Sequence, residues 1–212
     1  MSTYPRLGTD ESGKGDYFGY LITAGAVVSG PEDEVRLKDL GVMDSKRITD
    51  NRALELAGKI KGFLPYEIVE MSPSKYNQLY PKFGNLNKLL AWMHARVIEN
   101  LLSRCPCQVV IVDKFADEGV LRSSLMSKGQ NVPLVQRTHA EVDLAVAAAS
   151  ILARARFLET LDKLSQTAGM TLPKGAVTVI EPAKEVVAKN GPESLGSVAK
   201  LHFKVTKSVL GE

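Results

Sequence analysis

The sequence predicts an α/β layered fold, with a mixed five-stranded sheet flanked by helices and a helical segment at the C-terminal end. Three observations predict it. Short runs rich in β-branched residues alternate with stretches of helical periodicity. The apolar run QVVIVD (108–113) ends in an acid, as a buried interior strand would. The stretch beginning VDLAVAAASILA at Val142 is apolar nearly all round, as a helix running through a core must be.

Residues 5–29 open with a short apolar segment that closes on Asp10 and Glu11, followed by the turn-rich SGKGDYFG and then YLITAGAVV. That order reads as strand, Gly-rich turn, strand, a hairpin-like pair. Thr49 can cap a helix starting at Asp50, with Leu54, Ala57 and Ile60 on one face. LPYEIVEM (64–71) predicts a third strand, and SPSKYNQLY a short helix with Pro73 near its start. Leu89, Leu90, Met93, Val97 and Leu101 recur at helical spacing from Leu86 to about Arg104, with Asn85 and Asn87 as candidate caps. NVPLVQ (131–136) is a weaker strand, placed at a sheet edge by Pro133. The long helix from Val142 is expected to end near Leu164, and Ser165 to Gly175 is the best linker. Two further helices are expected, near 181–190 and 193–202. The expected organisation is an α/β core over 1–164 and a C-terminal helical segment over 165–212 packed on it as one structural domain.

Composition narrows the function class. The 212 residues, 44% hydrophobic and 24% charged, suit a soluble globular chain large enough to need no disulfide staples. Cys105 and Cys107 are too close in sequence to bridge readily and too few for a structural zinc site, so they read as free thiols in a reducing compartment. No apolar run approaches the roughly 20 residues that span a bilayer, and MSTYPRLGTDESGKG lacks a signal peptide's apolar segment, so a cytoplasmic location is expected. The net charge of +3 is compatible with a polyanionic partner without demanding one.

Acids occupy the positions where a metal site is built. Asp10 and Glu11 close the first strand, Asp113 closes the interior one, and Glu141 opens the core helix. Ligands in open α/β sheets gather at the carboxyl ends of strands, so Asp10 and Asp113 converge if their strands are neighbours. Converging carboxylates repel one another and call for a cation, and hard oxygen ligands select magnesium or manganese over zinc. The plainer reading keeps each acid as a turn or cap residue, with Glu141 favouring its helix N-terminus through the macrodipole. The pattern alone leaves both open. Gly13-Lys14-Gly15 follows the acidic pair directly: it allows close backbone approach to a phosphate, serves equally as an ordinary hairpin turn, and is not a Walker A loop.

TDESGKGDYFG (9–19) resembles the N-terminal signature of type 2 ribonucleases H, its DYFG ending the ribonuclease HIII branch. The similarity continues through VMDSKRIT (42–49), SPSKYNQLY (72–80), NLNKLLAWMHARVIENLL (85–102), VDKF (112–115), THAEVDLAVAAASILARARFL (138–158), LPKGA (172–176) and KLHF (200–203). The resemblance implies an RNase H-like fold and an endonuclease that hydrolyses the RNA strand of RNA–DNA hybrids, leaving 5′-phosphate and 3′-hydroxyl ends. It implies Asp10, Glu11, Asp113 and Glu141 as catalytic and metal-binding residues, holding two Mg2+ or Mn2+ ions about 4 Å apart. Glu at the fourth position follows the HIII branch, where the HII branch has Asp; Asp143 falls outside the motif and reads as a helix-start acid. Gly13, Lys14 and Gly15 are expected to read ribose 2′-hydroxyls, with Lys46 contacting phosphate and Tyr17 either touching substrate or filling the core.

Arg47, Lys174 and Lys200 are weaker phosphate candidates. His94 reads as structural, His139 could lie near the acids, and His202 could reach the phosphate if the tail folds over it. Ser150 lacks a His–Asp partnership, which removes a serine-hydrolase reading. The N-terminal substrate-gripping extension typical of the HIII branch is expected to be absent, Asp10 being nearly at the start. The partner expected is a hybrid duplex, met by a monomer with no membrane and no obligatory protein partner. The alternatives are a non-catalytic nucleic-acid-binding module, a resolvase-like DNase and a purely structural protein; four intact motif acids and the GKG turn beside them argue against the first and third.

Overall fold

The computed structural model describes residues 3–42 and 48–211. The chain forms two compact units, one from residues 1–11, 23–69 and 85–155, the other from 12–22, 70–84 and 156–212. The C-terminal segment expected over 165–212 thus falls within the second unit, together with two earlier stretches.

The first unit is built on a five-stranded mixed sheet in the order β3-β2-β1-β4-β5. The strands are β1 (Arg6–Ser12), β2 (Leu21–Val28), β3 (Tyr66–Met71), β4 (Val109–Asp113) and β5 (Leu134–Arg137). β4 runs parallel to β1, with Arg6 opposite Val109 and Thr9 opposite Val112, and parallel to β5, with Asp113 opposite Arg137. β4 is interior and β5 lies at the edge, as the apolar run and Pro133 predict.

Period-2 alternation gives the two faces of β1 different neighbours. Leu7 joins the cluster of Ala91, Ala95, Val97 and Ile98 from α4 (Leu86–Leu102), with Val110 and Val112 of β4 on the same face. Gly8 faces α6 (Leu144–Ala168) instead: a Cβ at this position would stand 2.3 Å from both the Ala145 carbonyl carbon and the Val146 nitrogen. On that face Ile111 packs with Ala140 and Val146. The wholly apolar start of α6 is therefore a close-packing device, its alanines from Ala145 to Ala149 fully buried.

Caps at Thr49, Ser72 and Asn85 accept from the backbone amides of Arg52, Lys75 and Lys88, starting α2 (Asp50–Lys61), α3 (Pro73–Phe83) and α4 where the sequence predicts. The buried face of α2 is Ala53, Leu56, Ala57 and Ile60; Leu54, expected on it, is exposed. Among the described helices of the first unit, α1 (Pro31–Asp39) and α5 (Glu118–Ser124) escape the sequence reading, both short and poor in apolar periodicity.

In the second unit α6 runs four residues past its expected end, to Ala168, stopping where Gly169 takes φ +66°. α7 (Ile180–Asn190) forms as expected. The helix expected over 193–202 does not: α8 (Leu195–Val198) is one turn, and a separate α9 spans Val205–Leu210. After α8 the backbone is extended at Ala199 and Lys200, because Val198 and Lys200 bond to Gly19 and Tyr17 and Ala199 bridges Phe18, and it then turns through 201–204 into α9. Strand-like pairing there outweighs local helix propensity.

Gly8→Ala is expected to cost about 3 kcal/mol, the upper end for overpacking, because rigid backbone rather than a side chain stands in the way. Gly58→Ala, in the exposed middle of α2 with nothing within 4 Å of the added carbon, is expected to stabilise by roughly 0.5–1 kcal/mol. Urea denaturation of both variants checks the pair, and equal midpoints would contradict the close contact of β1 with α6.

Candidate active site

The parallel register brings Asp10 and Asp113 level, one residue beyond the Thr9–Val112 pair at the carboxyl ends of adjacent strands. Alternation puts Asp10 on the α6 face with Gly8, and Asp113 on the same face with Ile111. Burial and the nearby charges of Glu11 and Asp113 push the Asp10 carboxyl up to about 7, against the lowering effect of hydrogen bonds from the Ser150 hydroxyl and the Glu11 amide. Ser150 comes from α6, whose small residues let it approach the strand. Its polar role was invisible in the run AAAS, where it has no sequence partner.

Glu11 projects to the opposite face, toward α4. There its Oε2 lies 3.1 Å from Nε2 of His94, whose Nδ1 lies 2.8 Å from the Thr9 hydroxyl. His94 is fully buried and stacks on Phe115, with ring centroids 4.7 Å apart. The sequence reading treats His94 as structural and misses its contact with Glu11; the signal was its spacing from Met93 and Val97 on a buried helix face.

Glu141, expected to open the core helix, sits instead in a 3-10 turn, Ala140–Val142, ahead of α6, tied to the interior strand by the Ala140 amide donating to Asp113 Oδ1 at 3.1 Å. His139, before it, adopts φ +55°, a left-handed conformation uncommon outside glycine, and its Nδ1 is 3.7 Å from Glu141 Oε1. Asp143 turns away to other partners. It caps α6 by accepting from the Ala145 amide and receives Arg6 Nε at 2.9 and 3.1 Å, while Arg6 also pairs with Glu34.

These four acids thus come from two adjacent strand ends and the turn before α6. Among the described residues, no group of three or more His, Cys, Asp or Glu side chains stands ready to hold a metal ion. The donor chemistry nevertheless fits a hard divalent cation, because positive charge would relieve the buried Asp10 carboxyl of the neighbouring negative charges that raise it.

Lys46 and Arg47 fall outside the described residues. In the second unit Gly13 takes φ +86°, and a Cβ there would stand 2.1 Å from the Tyr20 carbonyl oxygen, so the turn requires glycine. Lys14 is half-buried and Gly15 exposed. Asp16 Oδ1 accepts from the Gly175 amide at 2.6 Å, and the Tyr17 amide donates to the Gly175 carbonyl. Tyr17 has no exposed surface, is edge-on to Phe18 and Phe203, and bonds Thr206, which favours the core role of the two that the sequence leaves open. Lys200, an expected phosphate candidate, is also buried. It donates to the Gly19 carbonyl at 2.7 Å, and burial pushes its ammonium down to about 7. His202 bonds the Tyr76 hydroxyl at 3.1 Å and packs against Tyr80, and Lys174 is exposed.

The chain matches the ribonuclease HII family over residues 7–206. It is 48% identical over 209 residues to a ribonuclease HIII of Protochlamydia amoebophila, covering 98% of this chain and 69% of that protein. A ribonuclease HIII of Chlamydia abortus is 45% identical over 203 residues, covering 94% of this chain and 68% of the relative. The crystal structure of Bst-RNase HIII in complex with Mn2+ superposes with a TM-score of 0.89 at 33% identity, covering all of this chain and 70% of the other. On these grounds, and on a sheet whose strand ends carry the motif acids, the chain belongs to the type 2 ribonuclease H family, in its ribonuclease HIII branch.

Proposed function

We propose that this ribonuclease H cuts the RNA strand of RNA–DNA hybrids endonucleolytically, with two Mg2+ or Mn2+ ions held by Asp10, Glu11, Asp113 and Glu141, leaving 5′-phosphate and 3′-hydroxyl ends. The observation that carries the reading is the pairing of Asp10 with Asp113 on one face of the sheet, where burial and then the charges of Glu11 and Asp113 raise the Asp10 carboxyl. Bst-RNase HIII, similar over the whole of this chain, binds Mn2+. When bound, divalent ions supply Lewis acidity toward the scissile phosphate and lower the pKa of an attacking water.

The chain's own residues set where that happens. Asp10 and Asp113 present oxygens from a rigid strand pair, Ser150 holds Asp10, and Asp113 in turn holds the Glu141 turn. In this reading Gly13, Lys14 and Gly15 meet the minor groove, where backbone groups distinguish RNA by its 2′-hydroxyls and Lys14 faces phosphate. Lys46 is the next phosphate contact. The enzyme acts as a monomer, without a protein partner, in the cytoplasm. Among the described residues no helix is long and apolar enough to cross a membrane.

The deciding test uses three end-labelled duplexes with Mg2+ or Mn2+: continuous RNA–DNA hybrid, DNA with a single ribonucleotide, and all-DNA. Cutting of the continuous hybrid alone is expected; equal cutting of all-DNA would replace the reading with a resolvase-like nuclease. Asp113→Asn is expected to lower hybrid cleavage at least about 100-fold while the protein still melts cooperatively, since a ligand charge is lost without a change of volume. Normal turnover by that variant would remove Asp113 from the site.

A pH dependence follows from Asp10. The native carboxyl holds its proton to about pH 7, whereas the unfolded chain releases it near 4, so folding binds a proton between those values. Metal-free stability therefore falls as pH rises from about 4 to about 7. Asp10→Asn is expected to remove that slope and to stabilise the metal-free protein at pH 8 by roughly 1–3 kcal/mol. Thermal melts with EDTA across this range check it; an unchanged slope would mean that burial and the neighbouring charges do not raise the Asp10 carboxyl.

A further inference from the structure

A buried imidazole must satisfy two ring nitrogens, and His94 does so with two side chains of one strand. Thr9 and Glu11 are two residues apart on β1 and so share a face, the face covered by α4. His94, fully buried on that helix, spans them: Nδ1 to the Thr9 hydroxyl at 2.8 Å and Nε2 to Glu11 Oε2 at 3.1 Å. A carboxylate only accepts, so Nε2 carries the proton and donates to Glu11. In the neutral ring Nδ1 then accepts from the Thr9 hydroxyl, which is fully buried as well. Phe115, two residues beyond Asp113, closes the ring's other side by stacking at 4.7 Å with planes only 12° apart. The imidazole can neither rotate nor exchange tautomer without breaking a buried hydrogen bond.

We propose that His94 is a positioning residue for Glu11: the Thr9–His94 pair, clamped by Phe115, presents the Glu11 carboxylate to a divalent cation in one orientation. The proposal rests on the metal-binding reading of the carboxylates. Its physical content is that an outer hydrogen-bond partner which fixes a ligand oxygen reduces the freedom lost when the ion binds, and loss of such partners ordinarily costs about 10–100-fold in metal affinity. His94 touches neither substrate nor ion in this scheme and acts only through Glu11.

The experiment measures Mn2+ affinity by calorimetry in the absence of nucleic acid, for wild type, His94→Leu, His94→Gln and Thr9→Val. Metal-free melts confirm that each folds, and ring-nitrogen NMR of wild type and Thr9→Val reads the tautomer directly. His94→Leu is expected to weaken Mn2+ binding at least about 10-fold. His94→Gln, whose amide can still donate where Nε2 does, should recover most of the loss. Thr9→Val should weaken binding by about 2–5-fold, with the wild-type ring showing a single Nε2–H tautomer that becomes mixed in the variant. If His94→Leu folds and binds Mn2+ within 2-fold of wild type, or if Leu and Gln are equally impaired, the proposal is overturned. The Thr9→Val arm decides in the same way should His94→Leu fail to fold. Wild-type hybrid cleavage is assayed beside these: Mn2+ binding with the expected variant order but no cleavage sinks the catalytic reading alone, and absence of Mn2+ binding to wild type sinks both.

Discussion

The architecture around the acids depends on the contact between Gly8 of β1 and the backbone of α6 at Ala145 and Val146. A helix can lie that close to a strand only where the strand lacks a Cβ and the helix offers small residues. The approach seats α6 directly over the face that carries Asp10 and Asp113 and brings Ser150 within hydrogen-bonding reach of Asp10. Alanines that look like mere filler in AVAAAS thereby set the position of a polar group five residues beyond Ala145 along the helix.

Once the strand is clamped, its alternation distributes the chemistry. Arg6, Gly8 and Asp10 look toward α6, and Leu7, Thr9 and Glu11 toward α4. The adjacent acids Asp10 and Glu11 consequently have separate supports, a serine on one side and a histidine on the other. Charge is arranged along the strand as well. At its start Arg6 is paired with Asp143 and Glu34, so that positive charge is neutralised there, whereas at its end half-buried carboxylates accumulate. Gathering like charges in a partly dry place costs stability, and a fold keeps such a cluster only when other packing holds it. The buried alanines of α6 and the apolar face of α4 supply that packing.

In the second unit, backbone pairing replaces helix–strand packing as the organising device. The segment 16–19 is bonded on one side to Gly175 and on the other to Val198 and Lys200, and Gly13 is held in a left-handed turn against the Tyr20 carbonyl. Lys200 is spent inside this arrangement: its ammonium bonds the Gly19 carbonyl and is buried. A lysine read from sequence as a phosphate contact thus serves to hold the shape of the turn segment.

Much of the fold was legible in the chain. The caps at Thr49 and Asn85, the edge strand marked by Pro133, the buried strand QVVIVD and the apolar start of α6 are all local patterns, and local patterns report local energetics. The ordered motifs that identify the family are likewise written in the sequence, as is the membership of Asp10, Glu11, Asp113 and Glu141 in them. The sequence could not tell which face each acid takes or what supports it, because those depend on register between strands more than ninety residues apart and on which helix covers which face. Hence His94 passed for a core histidine, Ser150 for a small helix residue, and Lys200 for a surface cation. Tertiary structure decided their roles, because a hydrogen bond between β1 and α4, or between Lys200 and Gly19, leaves no periodicity in the chain to read.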